Sequence, residues 1–137
     1  MISVKNVSVI FGKGTPLESC LFKNLHLDIQ PGDFVTVIGG NGAGKSTLMN
    51  ILSGDILVDR GSITLDNVDI TRWLPHERAG LISRVFQDPL LGSYADLSIE
   101  ENLSLAFSRG KKRSLENSLQ PKIRKYFQER IRSLVIF

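Results

Sequence analysis

The string Gly39-Gly40-Asn41-Gly42-Ala43-Gly44-Lys45-Ser46 constrains this 137-residue chain more than any other feature. Phosphate oxygens need several donors converging on one point. A glycine-rich loop supplies them, because without a Cβ successive backbone N–H groups can turn inward and lie close to an anion. The spacing GxxxxGK[ST] adds a lysine that reaches the β- and γ-phosphates and a hydroxyl that can ligate Mg²⁺. The flanks fit as well. Residues 34–38 form a short apolar run of the kind that makes a strand covered on both faces. Leu48, Ile51 and Leu52 recur at helical spacing after the loop and predict a helix over residues 46–53. Its free N–H groups and positive dipole end meet the same anion. Gly39, Gly40, Asn41, Gly42, Ala43, Gly44, Lys45, Ser46 and Thr47 are therefore the expected nucleotide-binding residues, with Ser46 expected on Mg²⁺ and Thr47 expected to hydrogen-bond a phosphate.

The rest of the chain reads as short elements around that loop. Residues 2–11, rich in Val and Ile with polar residues between, predict a strand. Residues 21–29 predict a half-buried strand, because Leu25, Leu27 and Ile29 alternate with Asn24, outward-pointing His26 and Asp28. Residues 12–16, Pro31-Gly32-Asp33 and Asp59-Arg60-Gly61 are turn clusters. Residues 62–66 and 68–70 flank Asn67 as a small hairpin, residues 75–79 suit one helical turn opened by Pro75, and residues 81–86 are a further strand candidate. Ser98-Ile99-Glu100-Glu101 fits a capping box that starts a helix running to about Phe107. A basic loop spans 109–113, and a second helix is expected over 121–134 with Ile123, Phe127, Ile131 and Leu134 on one face. Neither an internal repeat nor a low-complexity linker is visible.

Composition excludes some classes. With 42% hydrophobic and 23% charged residues the chain has the makings of one globular domain with a modest core. A net charge of +3 names no partner; Lys111-Lys112-Arg113 reads as a solvated loop, and no nucleic acid is expected. Cys20 is the only cysteine, so no intramolecular disulfide can form, and beside Leu21 and Phe22 it reads as a small core residue. The first residues lack a signal-peptide pattern, and no apolar stretch approaches the roughly 18 residues needed to span a bilayer. The chain is expected to be soluble, with any membrane role supplied by a partner. No Cys/His cluster has metal-site spacing, and His76 near Trp73 is expected at the surface. Taken alone, Phe11 at a strand end is a core residue or a flat platform for a base, and Gln87 is an ordinary loop amide.

Several positions together resemble the ATP-binding subunits of ABC transporters, bacterial uptake systems in particular. The string GGNGAGKSTL, the segment 21–33, the hairpin after Asp59-Arg60-Gly61, Gln87 in Val85-Phe86-Gln87-Asp88-Pro89, and LSIEENL at 97–103 carry the match, over about residues 2–134. The resemblance implies an α/β fold: a P-loop NTPase core with an N-terminal antiparallel β subdomain within residues 1–96, and the start of a helical subdomain at 97–137. It implies that Phe11 stacks on adenine, and that Gln87 coordinates Mg²⁺ and contacts the transmembrane partner. The implied cofactors are ATP and Mg²⁺. The implied partners are a transmembrane permease subunit and a second ATP-binding subunit, at the cytoplasmic face of the membrane.

The family pattern also includes parts that these residues lack. They contain no LSGGQ-like signature, no apolar run ending in Asp-Glu and no switch histidine after such a run. Glu100 and Glu101 open a helix, and Glu116 and Glu129 fall in polar helical contexts. The expectation is a domain truncated before those motifs, with no catalytic residue of its own, which grips Mg-ATP and does not turn it over alone. Two other readings remain at this point: a non-catalytic nucleotide-binding remnant, and a small P-loop kinase, against which the Phe11, Gln87 and LSIEENL matches weigh.

Overall fold

A computed structural model describes residues 1–109 and 121–134. The chain divides into two compact units, Met1–Arg78 and Ala79–Phe137.

The first unit is organised by an antiparallel sheet of four strands: β1 (Ile2–Phe11), β2 (Ser19–Ile29), β3 (Arg60–Leu65) and β4 (Val68–Asp69), in the order β2-β1-β3-β4. β1 is central and carries the core residues Val4, Val7 and Val9. Their three-residue step from Val4 to Val7 breaks strict alternation, and the register shows why. Val4 faces Leu27 but Val7 faces Leu25, and against β3 Lys5 faces Ser62 but Ser8 faces Arg60, so β1 holds one extra residue on both sides. This bulge centres on Asn6, at φ 53°. A second bulge lies on β2 at Asn24, φ 57°, where Val7 pairs with Leu25 and Val9 with Phe22. The Asn6 bulge dictates Gly61: a Cβ there would lie 2.5 Å from the Asn6 backbone. Gly61 thus belongs to β3, and the turn expected at Asp59-Arg60-Gly61 ends at Asp59. Asp66 and Asn67, at φ 47° and 66°, supply the left-handed pair that a tight two-residue hairpin requires.

Helix α1 (Lys45–Ser53) buries Leu48 and Ile51, and with Val58, Ile63 and Ile70 these complete the unit's core. It ends at Gly54, whose left-handed φ of 87° lets its N–H return to Ile51 O at 3.2 Å. Helix α2 (Pro75–Arg78) is the single turn that Pro75 suggested.

In the second unit, a 3₁₀ turn (Pro89–Leu91) precedes α3 (Ile99–Phe107) and α4 (Pro121–Leu134). The capping box is present: Ser98 Oγ accepts from Glu101 N–H, and Glu101 Oε2 accepts from Ser98 N–H at 2.8 Å. The Ser98 hydroxyl and then its N–H hold the Glu101 carboxyl below its ordinary range. Phe107 meets Phe127 edge-on at 5.8 Å, and Arg124 pairs with Glu100, so the two helices enclose an open apolar cleft of about 350 Å³. Of the face expected on α4, Phe127 is buried, while Ile131 and Leu134 line this cleft.

Three expectations are corrected. Residues 34–38 and 81–86 are not strands, and Phe34, Ile38 and Val85 are 95%, 89% and 96% exposed. Apolar composition makes a strand only where a ladder partner exists, and among the described residues neither run has one. Cys20 is exposed rather than core, because it lies on β2, an edge strand that buries no residue fully; its Sγ donates to Phe22 O at 3.1 Å. His26 and His76 are exposed as expected. Residues 110–113 of the basic loop lie outside the described residues. Among the described residues, no helix is long and apolar enough to cross a membrane, and no group of three His, Cys, Asp or Glu could hold a metal ion.

Candidate nucleotide site

The loop before α1 is shaped by its glycines. Gly42 and Gly44 sit at φ 83° and 87°, in the left-handed region that side-chain-bearing residues avoid. Ala43 N–H returns to Gly40 O at 3.3 Å, and Leu48 N–H donates to Gly44 O at 2.8 Å, the first bond of α1. Gly44 caps the helix without a side chain, and the first turn holds no acidic residue. Nothing on the helix itself competes for its positive end.

The Lys45 ammonium donates to Gly39 O at 2.7 Å and Gly40 O at 2.8 Å. It therefore lies over the mouth of the loop, within reach of an anion seated there. Ser46 is exposed on the first turn of α1, and Thr47 is half-buried beside it. Backbone donors, a helix terminus, an ammonium and a hydroxyl occur together within nine residues, a donor set that fits a nucleoside triphosphate with its Mg²⁺.

The sheet holds the loop from behind. A Cβ on Gly44 would meet Phe22 Cζ at 3.0 Å and Leu21 Cδ2 at 3.3 Å, so β2 presses directly on the residue that starts the helix. A Cβ on Gly39 would meet Ala43 Cβ at 3.0 Å, which limits both positions to small residues. Leu21 and Phe22, two adjacent apolar residues opening an otherwise alternating strand, are the sequence signal that both faces have work there.

Phe11 ends β1, paired with Ser19, and is 41% exposed, so it is not a core residue. Its strand end is pinned by Asp59, whose Oδ2 accepts from Ile10 N–H at 2.8 Å and whose own N–H donates to Ser8 O at 3.0 Å. The Ile10 N–H, and then Lys13 at 3.6 Å, hold the Asp59 carboxyl below its ordinary range. Gln87 is an exposed residue of the second unit, whereas the loop and Phe11 belong to the first.

The family model described as ABC transporter matches residues 22–134. The tyrosine transport ATP-binding protein of Clostridioides difficile (strain R20291) is 45% identical over 122 residues, covering 89% of this chain and 49% of the relative. The thiamine import ATP-binding protein ThiQ of Yersinia pestis is 39% identical over 93 residues, covering 68% of this chain and 38% of the relative. The dimeric structure of MJ0796, a bacterial ABC transporter cassette, superposes with a TM-score of 0.71 at 27% identity, covering 94% of this chain and 55% of the cassette. The same cassette in a post-hydrolysis state bound to ADP and Pi matches with a TM-score of 0.71 at 26% identity, again covering 94% and 55%. The matched region thus spans 49% and 38% of these two relatives and 55% of the cassette.

Proposed function

The chain belongs to the ABC transporter family, and from that premise we propose that it is the N-terminal part of the ATP-binding subunit of an uptake-type membrane transport system. ATP binds at residues 39–47, and in the complete protein its binding and hydrolysis drive transport. The import and transport names of the relatives support the uptake reading. The single observation that carries nucleotide binding is the Lys45 ammonium held over the Gly39 and Gly40 carbonyls at the N-terminus of α1.

In this reading the loop N–H groups and α1 cradle the phosphates, and Lys45 exchanges two carbonyl partners for phosphate oxygens. Such an exchange replaces neutral acceptors with anionic ones and strengthens each bond. Phe11 offers its half-exposed ring to adenine. Ser46 would ligate Mg²⁺, which neutralises phosphate charge when bound, and the family resemblance alone suggests Gln87 as a further ligand. A permease subunit and a second copy of the ATP-binding subunit complete the assembly, peripheral on the cytoplasmic face of the membrane. The dimeric cassette structure supports the second copy.

The test is calorimetry with Mg-ATP, Mg-ADP and adenosine. Recognition through phosphate predicts that adenosine binds about 100-fold more weakly than ATP, the loss of about two charge-assisted hydrogen bonds. Adenosine binding as tightly as ATP contradicts it.

A further inference from the structure

Arg78 is the one charged side chain among the described residues that is buried, at 1% exposure. Its guanidinium bonds to carbonyls. Nη1 donates to Ile51 O at 2.7 Å and Leu52 O at 2.9 Å, in the last turn of α1. Nε donates to Trp73 O at 3.0 Å and Nη2 to Thr71 O at 3.3 Å, on the segment after β4. Burial pushes its pKa down, with Asp55 and Glu77 opposing the shift; a guanidinium stays charged nonetheless.

A helix ends with carbonyls that have no partner within it and with the negative end of its dipole. The last turn of α1 has no basic residue of its own, and Arg78 supplies both the donors and the charge from outside. Room for it is reserved at the helix end: a Cβ on Gly54 would meet Arg78 Nε and Trp73 O at 3.0 Å. The other end of α1 is the phosphate loop, backed by Leu21 and Phe22. A nine-residue helix is only about 13 Å long, so a tilt at one end displaces the other by a similar amount.

We infer that Arg78 is a positioning residue for nucleotide binding: its fork on the Ile51 and Leu52 carbonyls fixes the pose in which the opposite end of α1 meets phosphate. This rests on the phosphate role proposed for residues 39–47. Linkage makes the effect reciprocal, so a bound nucleotide must in turn tighten the Arg78 bonds.

The experiment uses the 137-residue chain with Mg-ATP and with inorganic pyrophosphate as probes. Arg78→Lys keeps the charge and loses the planar fork that reaches four carbonyls. If the competent pose falls to about one molecule in ten, both affinities drop about tenfold. Val9→Ala, a core change on β1 that leaves Arg78 and its four carbonyl partners in place, is the control and is expected to change them less than about twofold on the same arithmetic. In the wild type, the Arg78 Nε–H resonance is expected to shift and its solvent exchange to slow when Mg-ATP saturates the protein. Equal affinities in Arg78→Lys and wild type, or equal losses in Arg78→Lys and Val9→Ala, overturn the proposal. Should Arg78→Lys not fold, the wild-type resonance decides: an unchanged Nε–H signal overturns it. Lys45→Ala separates the two readings. If it also binds Mg-ATP like wild type, the phosphate loop reading has failed; if it loses affinity while Arg78→Lys does not, only the role of Arg78 has.

Discussion

Val4, Val7 and Val9 of β1 are exposed by 2% or less, whereas Phe34 and Ile38, equally apolar, lie almost fully in solvent. β1 runs between β2 and β3 and has a ladder on each edge. β2 reaches it through a turn of a few residues, where Thr15 N–H donates to Gly12 O at 2.9 Å and Glu18 N–H to Thr15 O at 3.0 Å. Antiparallel pairing through such turns involves a short loop and a small closure entropy. The run at 34–38 is of the sort that pairs in parallel, through crossovers from distant segments. Burial follows the partner, and apolar composition alone does not confer it.

The largest test of this contrast removes side-chain volume on each side of it. Ile63→Ala, in the core of β3, is expected to destabilise by about 3 kcal/mol, transfer and cavity together. Ile38→Ala is expected to stay within about 0.5 kcal/mol, as for exposed positions generally. Urea denaturation measures both. Similar costs at the two sites would mean that residues 34–38 are packed after all.

A finer test separates backbone conformation from packing. Gly32 and Gly61 share almost the same φ, 88° and 89°, but a Cβ on Gly32 meets nothing within 4 Å, while on Gly61 it strikes the Asn6 backbone. Gly32→Ala is expected to cost about 1 kcal/mol for the left-handed backbone alone, and Gly61→Ala clearly more, about 2–3 kcal/mol. Equal costs would remove the bulge contact from the account of β3.

These elements also show what the sequence could and could not reveal. β1, β2, the hairpin around Asn67, the Ser98 capping box and the glycine turn before α1 are local patterns, and the structure forms each of them there. The bulges at Asn6 and Asn24 depend on cross-strand register, which a single strand does not encode. Gly61 is dictated by a backbone 55 positions away, and local turn chemistry does not reveal that. Arg78, in the exposed-looking string Pro75-His76-Glu77-Arg78, owes its burial to carbonyls 26 and 27 residues earlier. The candidate site at residues 39–47 is legible in the sequence because its chemistry is contiguous. The roles of Phe11 and Gln87 came from family resemblance, since no local pattern distinguishes them from a strand end and a loop amide.

The smallest expected effect is on acid. Asp59, Asp69 and Glu101 all have lowered pKa values, from the Ile10 N–H, the Thr71 hydroxyl and N–H, and the Ser98 hydroxyl and N–H respectively. Each stabilises the fold while ionised. Their contributions are complete above the ordinary carboxylate range and are lost as pH falls through it toward the lowered values. Melting temperature is therefore expected to hold near neutral pH and fall below about pH 4, with a shallower fall in Asp59→Asn. A melting temperature that rises on acidification would contradict these assignments.

The central claim is that residues 39–47 bind nucleotide phosphate in this chain. Titration of folded wild-type and Lys45→Ala protein with Mg-ATP by calorimetry tests it most directly. Losing one charge-assisted partner of the phosphates is expected to weaken binding at least about tenfold, with the melting temperature of the free protein little changed. Equal affinity in the two proteins would contradict the claim.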